Sequence, residues 1–141
     1  HIAETNALRR DMLAKAGDFI AYDPRDTIPN SCHIDIVLDA VGSGRTRAAA
    51  SAMVRPGGVI SHIGLQDNEP GLDTRRITLQ QIHFTGSYCY SKLDFAEAVQ
   101  LLEERKITGE GWAELRDLEA GVQSFIDIHD GNAPPKIILR I

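Results

Sequence analysis

Ile34-Asp-Ile-Val-Leu-Asp-Ala-Val-Gly42 and, one helical stretch later, Arg55-Pro-Gly-Gly-Val-Ile-Ser-His-Ile-Gly64 decide the fold. Both carry near-continuous apolar runs that end in glycine. A strand wet on one face alternates apolar and polar residues. An unbroken run fits a parallel strand covered on both faces. Two parallel neighbours need a crossover, and the Ala-rich stretch between them supplies a helix. In such sheets ligands bind outside the carboxyl ends of the strands. Residues 39–42 and 63–66 are therefore the first places to look for a site.

Working outward, the same alternation continues. His1 to Glu4 reads as a strand end, and Thr5-Asn6 as a helix start. Leu8, Met12, Leu13 and Ala16 then recur at helical spacing, and Gly17 stops the helix. Phe19 to Tyr22 reads as a strand, and Asp23 to Cys32, with two prolines, as a loop. Arg45 to Val54 is a helix, Pro56-Gly57-Gly58 a turn, and Val59 to Ile63 a strand. Asp67 to Asp73 is a polar loop, Thr74 to Gln81 one or two helical turns, and Ile82 to Ser87 a strand. Asp94 to Arg105 is an amphipathic helix with Phe95, Ala98, Val99, Leu101 and Leu102 expected to face inward. Ala113 to Leu115 reads as a short strand. Leu118 to Asp130 is a further helix, with Val122, Phe125, Ile126 and His129 on one face, stopped by Gly131. Lys136 to Leu139 closes the chain as a strand. The alternation specifies an α/β fold with right-handed crossovers, a Rossmann-like doubly wound parallel sheet with helices on both faces.

Composition bounds the function classes. The 141 residues fit one domain, and 43% hydrophobic with 25% charged residues is close to the soluble globular average. A net charge of -5 argues against a nucleic-acid or anionic-membrane partner. No apolar run reaches the ~18 residues of a membrane span. Cys32 and Cys89 are too few and too far apart for a disulfide framework or a zinc motif, which fits a cytoplasmic protein. The chain begins with His1 rather than Met, in what reads as the end of a strand, so it is expected to be a fragment.

The motifs are weighed one at a time. Gly42-Ser43-Gly44 invites a dinucleotide fingerprint, but its third glycine position falls on Arg47, and a plain strand-to-helix turn is the better reading. Glu4 closes a strand before a helix, where a carboxylate can hold both ribose hydroxyls of an adenosine. A surface glutamate is the bland alternative. Arg9 can add a ribose contact; were Arg9 and Arg10 both to point there, a 2′-phosphate would be plausible. Asp39, at a strand end, is a better site candidate than Asp35, and its bland alternative is a carboxylate bonding nearby amides. His1, His33, His62, His83 and His129 form no metal motif, and Cys32-His33 diverge on a strand. Nucleophile-elbow and triad patterns are absent. Lys136 can reach a phosphate or be an ordinary surface lysine.

Taken together, Asp35-Ile-Val-Leu-Asp-Ala-Val-Gly42, Val54-Arg-Pro-Gly-Gly-Val-Ile60, Ile63-Gly64, Phe84-Thr-Gly-Ser-Tyr88, the Phe95–Leu102 helix and Lys136-Ile-Ile-Leu139 resemble the medium-chain dehydrogenase/reductase superfamily. They look most like its zinc-dependent alcohol and polyol dehydrogenases. The resemblance runs in order over essentially the whole chain. It implies a partial nucleotide-binding domain that starts at the second strand of a six-stranded Rossmann sheet and lacks the first. Glu4 then matches the acidic ribose-binding position, favouring NAD over NADP, and Arg9 a basic position beside it. Ala40, Val41 and Gly42 match the loop beside the adenosine and nicotinamide ribose. Ile63, Gly64 and Leu65 match the segment that holds the nicotinamide carboxamide. Ser87 and Cys89 match the next such segment, and Lys136 a basic position near the pyrophosphate.

The same resemblance places zinc and the substrate pocket in an N-terminal catalytic domain that this chain lacks. Residues from about 90 to 141 are expected to pack partly against that domain. The absent first strand belongs between the second and fourth, so unpaired backbone and exposed apolar surface are expected. A chain like this is expected to associate as a homo-oligomer, to rearrange its sheet, or to depend on its missing N-terminal part. The implied parent activity moves hydride between a primary or secondary alcohol or polyol and a nicotinamide dinucleotide, with the fragment itself inactive. A zinc-free quinone or enoyl reductase of the same superfamily is an alternative. A fragment of an S-adenosylmethionine-dependent methyltransferase is another, because it shares the carboxylate and the Arg-Pro-Gly-Gly turn.

Overall fold

A computed structural model describes residues 1–27 and 34–141. Cys32 and His33 lie outside the described residues. The elements run β1 (Ile2–Ala3), α1 (Ala7–Ala16), β2 (Ala21–Tyr22), β3 (Ile34–Asp39), α2 (Gly44–Met53), β4 (Val54–His62), α3 (Thr74–Leu79), β5 (His83–Gly86), α4 (Lys92–Glu103), β6 (Ala113–Asp117), a 3-10 turn (Leu118–Ala120), α5 (Gly121–His129) and β7 (Lys136–Arg140). Every strand pair is parallel, as the apolar runs require. The chain forms two compact units, Pro29–Phe95 and His1–Ile28 with Ala96–Ile141.

The first of these units holds the sheet β3-β4-β5. Its core is Ala50, Val54, Ile60 and Ile82, with Val37 and Ile77 packed against it. Helix α2 forms because Ser43 and Thr46 build a capping box at its start and alanines fill its body. Arg76 reaches back from α3 to close its end, donating to the carbonyls of Ser51 and Val54. The Pro56-Gly57-Gly58 turn is not a connection outside the strand. It lies inside β4, where Ile34 pairs with Val54 and Ile36 with Val59, so the intervening residues bulge from the ladder.

The other unit holds two separate sheets, β1-β2 and β6-β7. Asn6 caps α1 by accepting from the Arg9 amide at 3.1 Å. Arg116 on β6 binds Asp127 on α5 at 2.6 Å and the Ser124 hydroxyl at 3.3 Å. Among the described residues β1 pairs only with β2, and β3 only with β4.

Two expectations of burial fail. Ile36 and Leu38 on β3, read as a strand covered on both faces, are 62% and 68% exposed. The apolar face assigned to α4 is not inward: the helix has no buried residue, and Phe95 is 58% exposed. On α5, Val122 and Phe125 are 76% and 75% exposed. Helical periodicity shows which residues share a face, but a partner element must cover that face to bury it.

Candidate functional site

The carboxyl ends of β3 and β4 cross at very short range. Asp39 and His62 are the last paired residues of the ladder. Just beyond them the Ile63 and Gly64 amides both donate to the Asp39 carbonyl at 3.0 Å. The Gln66 amide donates to Val41 at 3.1 Å and the Asp67 amide to Gly42 at 3.2 Å. Gly42 has φ +73°, and a Cβ built on it would lie 1.9 Å from the Gly64 carbonyl oxygen. A Cβ on Gly64 would lie 2.1 Å from the Val41 carbonyl carbon. Only glycine permits this approach of two backbones. The crossing brings Ala40, Val41 and Gly42 beside Ile63, Gly64 and Leu65, with Val41, Ile63 and Leu65 left exposed.

Asp39 holds the crossing together. It is 4% exposed. Its Oδ1 accepts from the Gly42 amide at 2.8 Å and the Val41 amide at 3.2 Å. Its Oδ2 accepts from the Thr46 hydroxyl at 3.1 Å and lies 3.2 Å from His62 Nδ1. The bland reading, a carboxylate bonding nearby amides, describes half of what Asp39 does. Thr46 and His62 were not legible as its partners. They sit 7 and 23 residues away, and only the α2 crossover and the β3–β4 register bring them together.

The start of α2 is a plain strand-to-helix turn. The Gly44 amide is taken by Asp67 at 2.9 Å and the Thr46 amide by Ser43 at 3.2 Å. Arg47, standing where a fingerprint needs its third glycine, folds back onto the Gly42 carbonyl at 2.8 Å and the Asp67 carboxylate at 3.0 Å, and also donates to the Glu69 carbonyl. Asp67 sits below the usual carboxylate value. Partial desolvation, the largest single influence, pushes it up, but the amides of Gly44 and Glu69 and the Arg47 guanidinium together outweigh it. With a carboxylate already seated there, this helix end is not an open anion site.

In the other unit, Glu4 follows β1. Its Oε1 accepts from the Asn6 amide at 2.8 Å, which fixes the carboxylate at the turn into α1. Arg10 does not join Arg9 as a free cation. It donates to the Glu4 carbonyl at 2.7 Å and pairs with Asp23 at 3.1 Å. The Arg25 side chain, foremost, with the Arg25 amide and the Arg10 charge, holds the Asp23 carboxyl well below the usual carboxylate range. The Arg9 Nε is buried and makes no hydrogen bond among the described residues. Lys136, in the same unit, is exposed at the start of β7.

Ser87 and Cys89 follow β5. The Ser87 amide donates to the His62 carbonyl at 3.0 Å, extending the β4–β5 ladder by one bond. Cys89 is exposed at φ +55°. The β3–β4–β5 ends thus gather eight of the eleven residues singled out from the sequence: Ala40, Val41, Gly42, Ile63, Gly64, Leu65, Ser87 and Cys89. Glu4, Arg9 and Lys136 belong to the other unit. No group of three or more His, Cys, Asp or Glu side chains among the described residues is arranged to hold a metal ion. No helix among them is long and apolar enough to cross a membrane.

Comparison with known proteins places the chain in a family. Residues 2–104 match the family described as zinc-binding dehydrogenase. A ribulose-5-phosphate reductase of Streptococcus pneumoniae is 27% identical over 107 residues, covering 74% of this chain and 31% of that protein. L-idonate 5-dehydrogenase of Escherichia coli superposes with a TM-score of 0.83 at 14% identity, over 99% of this chain and 42% of that one. The 2R,3R-butanediol dehydrogenase of Bacillus subtilis gives 0.82 at 15% identity, over 99% and 42%. An E. coli alcohol dehydrogenase complexed with NADH gives 0.79 at 16% identity, over 99% and 43%. The chain therefore spans less than half the length of these relatives. The structural likeness shows the same Rossmann-type fold, and the family match removes the methyltransferase alternative. The match over residues 2–104, more than half of the chain, identifies it as a member of the zinc-binding dehydrogenase family of oxidoreductases, within the medium-chain dehydrogenase/reductase superfamily.

Proposed function

We propose that this chain is the cofactor-holding part of a nicotinamide-dinucleotide-dependent dehydrogenase acting on an alcohol or polyol, with NAD preferred to NADP. The observation that carries this is the Glu4 carboxylate at the end of a parallel strand, pinned through Oε1 to the amide of Asn6, the cap of α1, while Arg10 is committed to Asp23. A carboxylate there accepts from the two ribose hydroxyls and repels a 2′-phosphate. Among the described residues the second Glu4 oxygen accepts no hydrogen bond, which leaves it for that contact, and Arg9 stands one helical turn on. At the other strand ends, residues 40–42 and 63–65 offer a backbone edge for the nicotinamide, with Ser87 and Cys89 alongside. Lys136 is assigned to the pyrophosphate.

When bound, a nicotinamide dinucleotide supplies the hydride acceptor for the carbinol carbon. The residues of this chain bind and orient it, and none is assigned to move the proton of the alcohol. The described residues hold no group of side chains fit to bind a zinc ion. The polyol class is favoured because the relatives include proteins named for L-idonate, butanediol and ribulose 5-phosphate.

Calorimetric titration of the chain with NADH, NADPH and S-adenosylmethionine tests the reading. NADH should bind more tightly than NADPH, with no heat from S-adenosylmethionine. Glu4→Gln should weaken NADH by about tenfold, the scale of one hydrogen bond to a charged group, and narrow the gap to NADPH. Preference for NADPH, or no effect of Glu4→Gln, overturns the assignment.

A further inference from the structure

We propose that His62 is a positioning residue for the nicotinamide-side strand ends, acting through Asp39 to fix residues 40–42 against residues 63–65. This rests on the cofactor reading above and deepens it. His62 itself is not assigned a contact with any ligand.

Asp39 links every strand of the crossing. Its Oδ1 is occupied by the Gly42 and Val41 amides, and its carbonyl by the Ile63 and Gly64 amides. Its Oδ2 has two side-chain neighbours, Thr46 and His62. The Thr46 hydroxyl has one proton to give. It lies 3.1 Å from Asp39 Oδ2 and 3.0 Å from the Ser43 carbonyl, so that proton is contested. Among the described residues Asp39 Oδ2 is the only hydrogen-bond partner of His62 Nδ1, so as a donor Nδ1 serves Oδ2 alone. A buried carboxylate short of a donor rotates to seek one. Rotation of Asp39 would release the Val41 and Gly42 amides, which belong to the segment proposed to face the cofactor.

The histidine is itself held in place. Its side chain is 18% exposed, and its ring lies 5.6 Å from that of Phe84 with a 34° tilt. A carboxylate facing Nδ1 favours the tautomer that carries the proton on Nδ1. The arrangement thus favours one tautomer as well as one position.

The test uses the full chain, with His62→Phe and His62→Asn compared with wild type. Asparagine places an amide donor near the position of Nδ1, whereas phenylalanine keeps the ring contact with Phe84 and removes the donor. The readouts are amide hydrogen exchange at Val41, Gly42, Ile63 and Gly64, the ¹⁵N signature of the His62 ring, and NADH affinity. The proposal expects a protonated Nδ1, and exchange at these amides about tenfold faster in His62→Phe. It also expects weaker NADH binding in His62→Phe and recovery of both in His62→Asn. Unchanged exchange in His62→Phe overturns it, as does an Nε2–H tautomer with a bare Nδ1. Faster exchange with undiminished NADH affinity also overturns it, because the pair would then be structural only. A wild-type chain that binds no NADH, but shows the expected exchange and rescue, supports the pair as the device that sets the strand ends and counts against the cofactor reading alone.

Discussion

Gly64→Ala isolates the contact on which the candidate site is built. Gly64 is not in the left-handed region, so the substitution introduces no backbone strain of that kind and adds only a methyl group. That methyl group would lie 2.1 Å from the Val41 carbonyl carbon, 2.4 Å from the Gly42 nitrogen and 2.5 Å from the Val41 oxygen. All three are backbone atoms, and no rotamer change relieves the clash. The ends of β3 and β4 must separate by an ångström or more. Four backbone hydrogen bonds span the crossing: Ile63 and Gly64 to Asp39, Gln66 to Val41, and Asp67 to Gly42. At about 0.5–1.5 kcal/mol each, losing most of them costs roughly 2–4 kcal/mol. Gly86→Ala is the control, since nothing lies within 4 Å of a Cβ there. It should change stability by less than about 0.5 kcal/mol. Amide exchange read at Ile63 and Gln66 should accelerate by roughly 30- to 1000-fold in Gly64→Ala and stay near wild type in Gly86→Ala. A Gly64→Ala chain with exchange and thermal midpoint indistinguishable from Gly86→Ala would refute the crossing.

Two further outcomes are expected. Ser43→Ala removes the acceptor of the Thr46 amide and breaks the capping box; it should cost about 1 kcal/mol, read as a lower thermal midpoint by circular dichroism, with Ser43→Asp recovering most of it. Asp67 has a lowered folded-state value, so its contribution is present above the ordinary carboxylate value and is lost as pH falls through the lowered one. Amide exchange in the 67–71 loop should therefore rise on acidification, and Asp67→Asn should flatten that rise. An acid dependence that survives Asp67→Asn would assign it elsewhere.

Much of this was readable along the chain. The strand Ile34–Asp39 follows from its near-continuous apolar run, and α2 begins where Ser43 and Gly44 say it should. The end of α1 at Gly17 and the cap at Asn6 are local events, set by residues within a turn of each other. The bulge inside β4 was harder to read. Pro56-Gly57-Gly58 is a turn by composition, and whether the residues before it rejoin the ladder depends on β3, its neighbour. The faces of α4 and α5 were legible as stripes but not as buried or exposed, since burial belongs to the element opposite.

The sequence by itself determined the alternation of elements, the parallel sheet and the two strand ends proposed to meet a ligand, because apolar periodicity and turn chemistry act over a few residues. Only the tertiary structure decided that Asp39 meets His62 and Thr46, that Gly42 and Gly64 touch, that Asp67 closes the start of α2 and that Arg10 is spent on Asp23. Those contacts join residues separated by 7 to 23 positions. Register and crossover geometry, not local preference, set such distances.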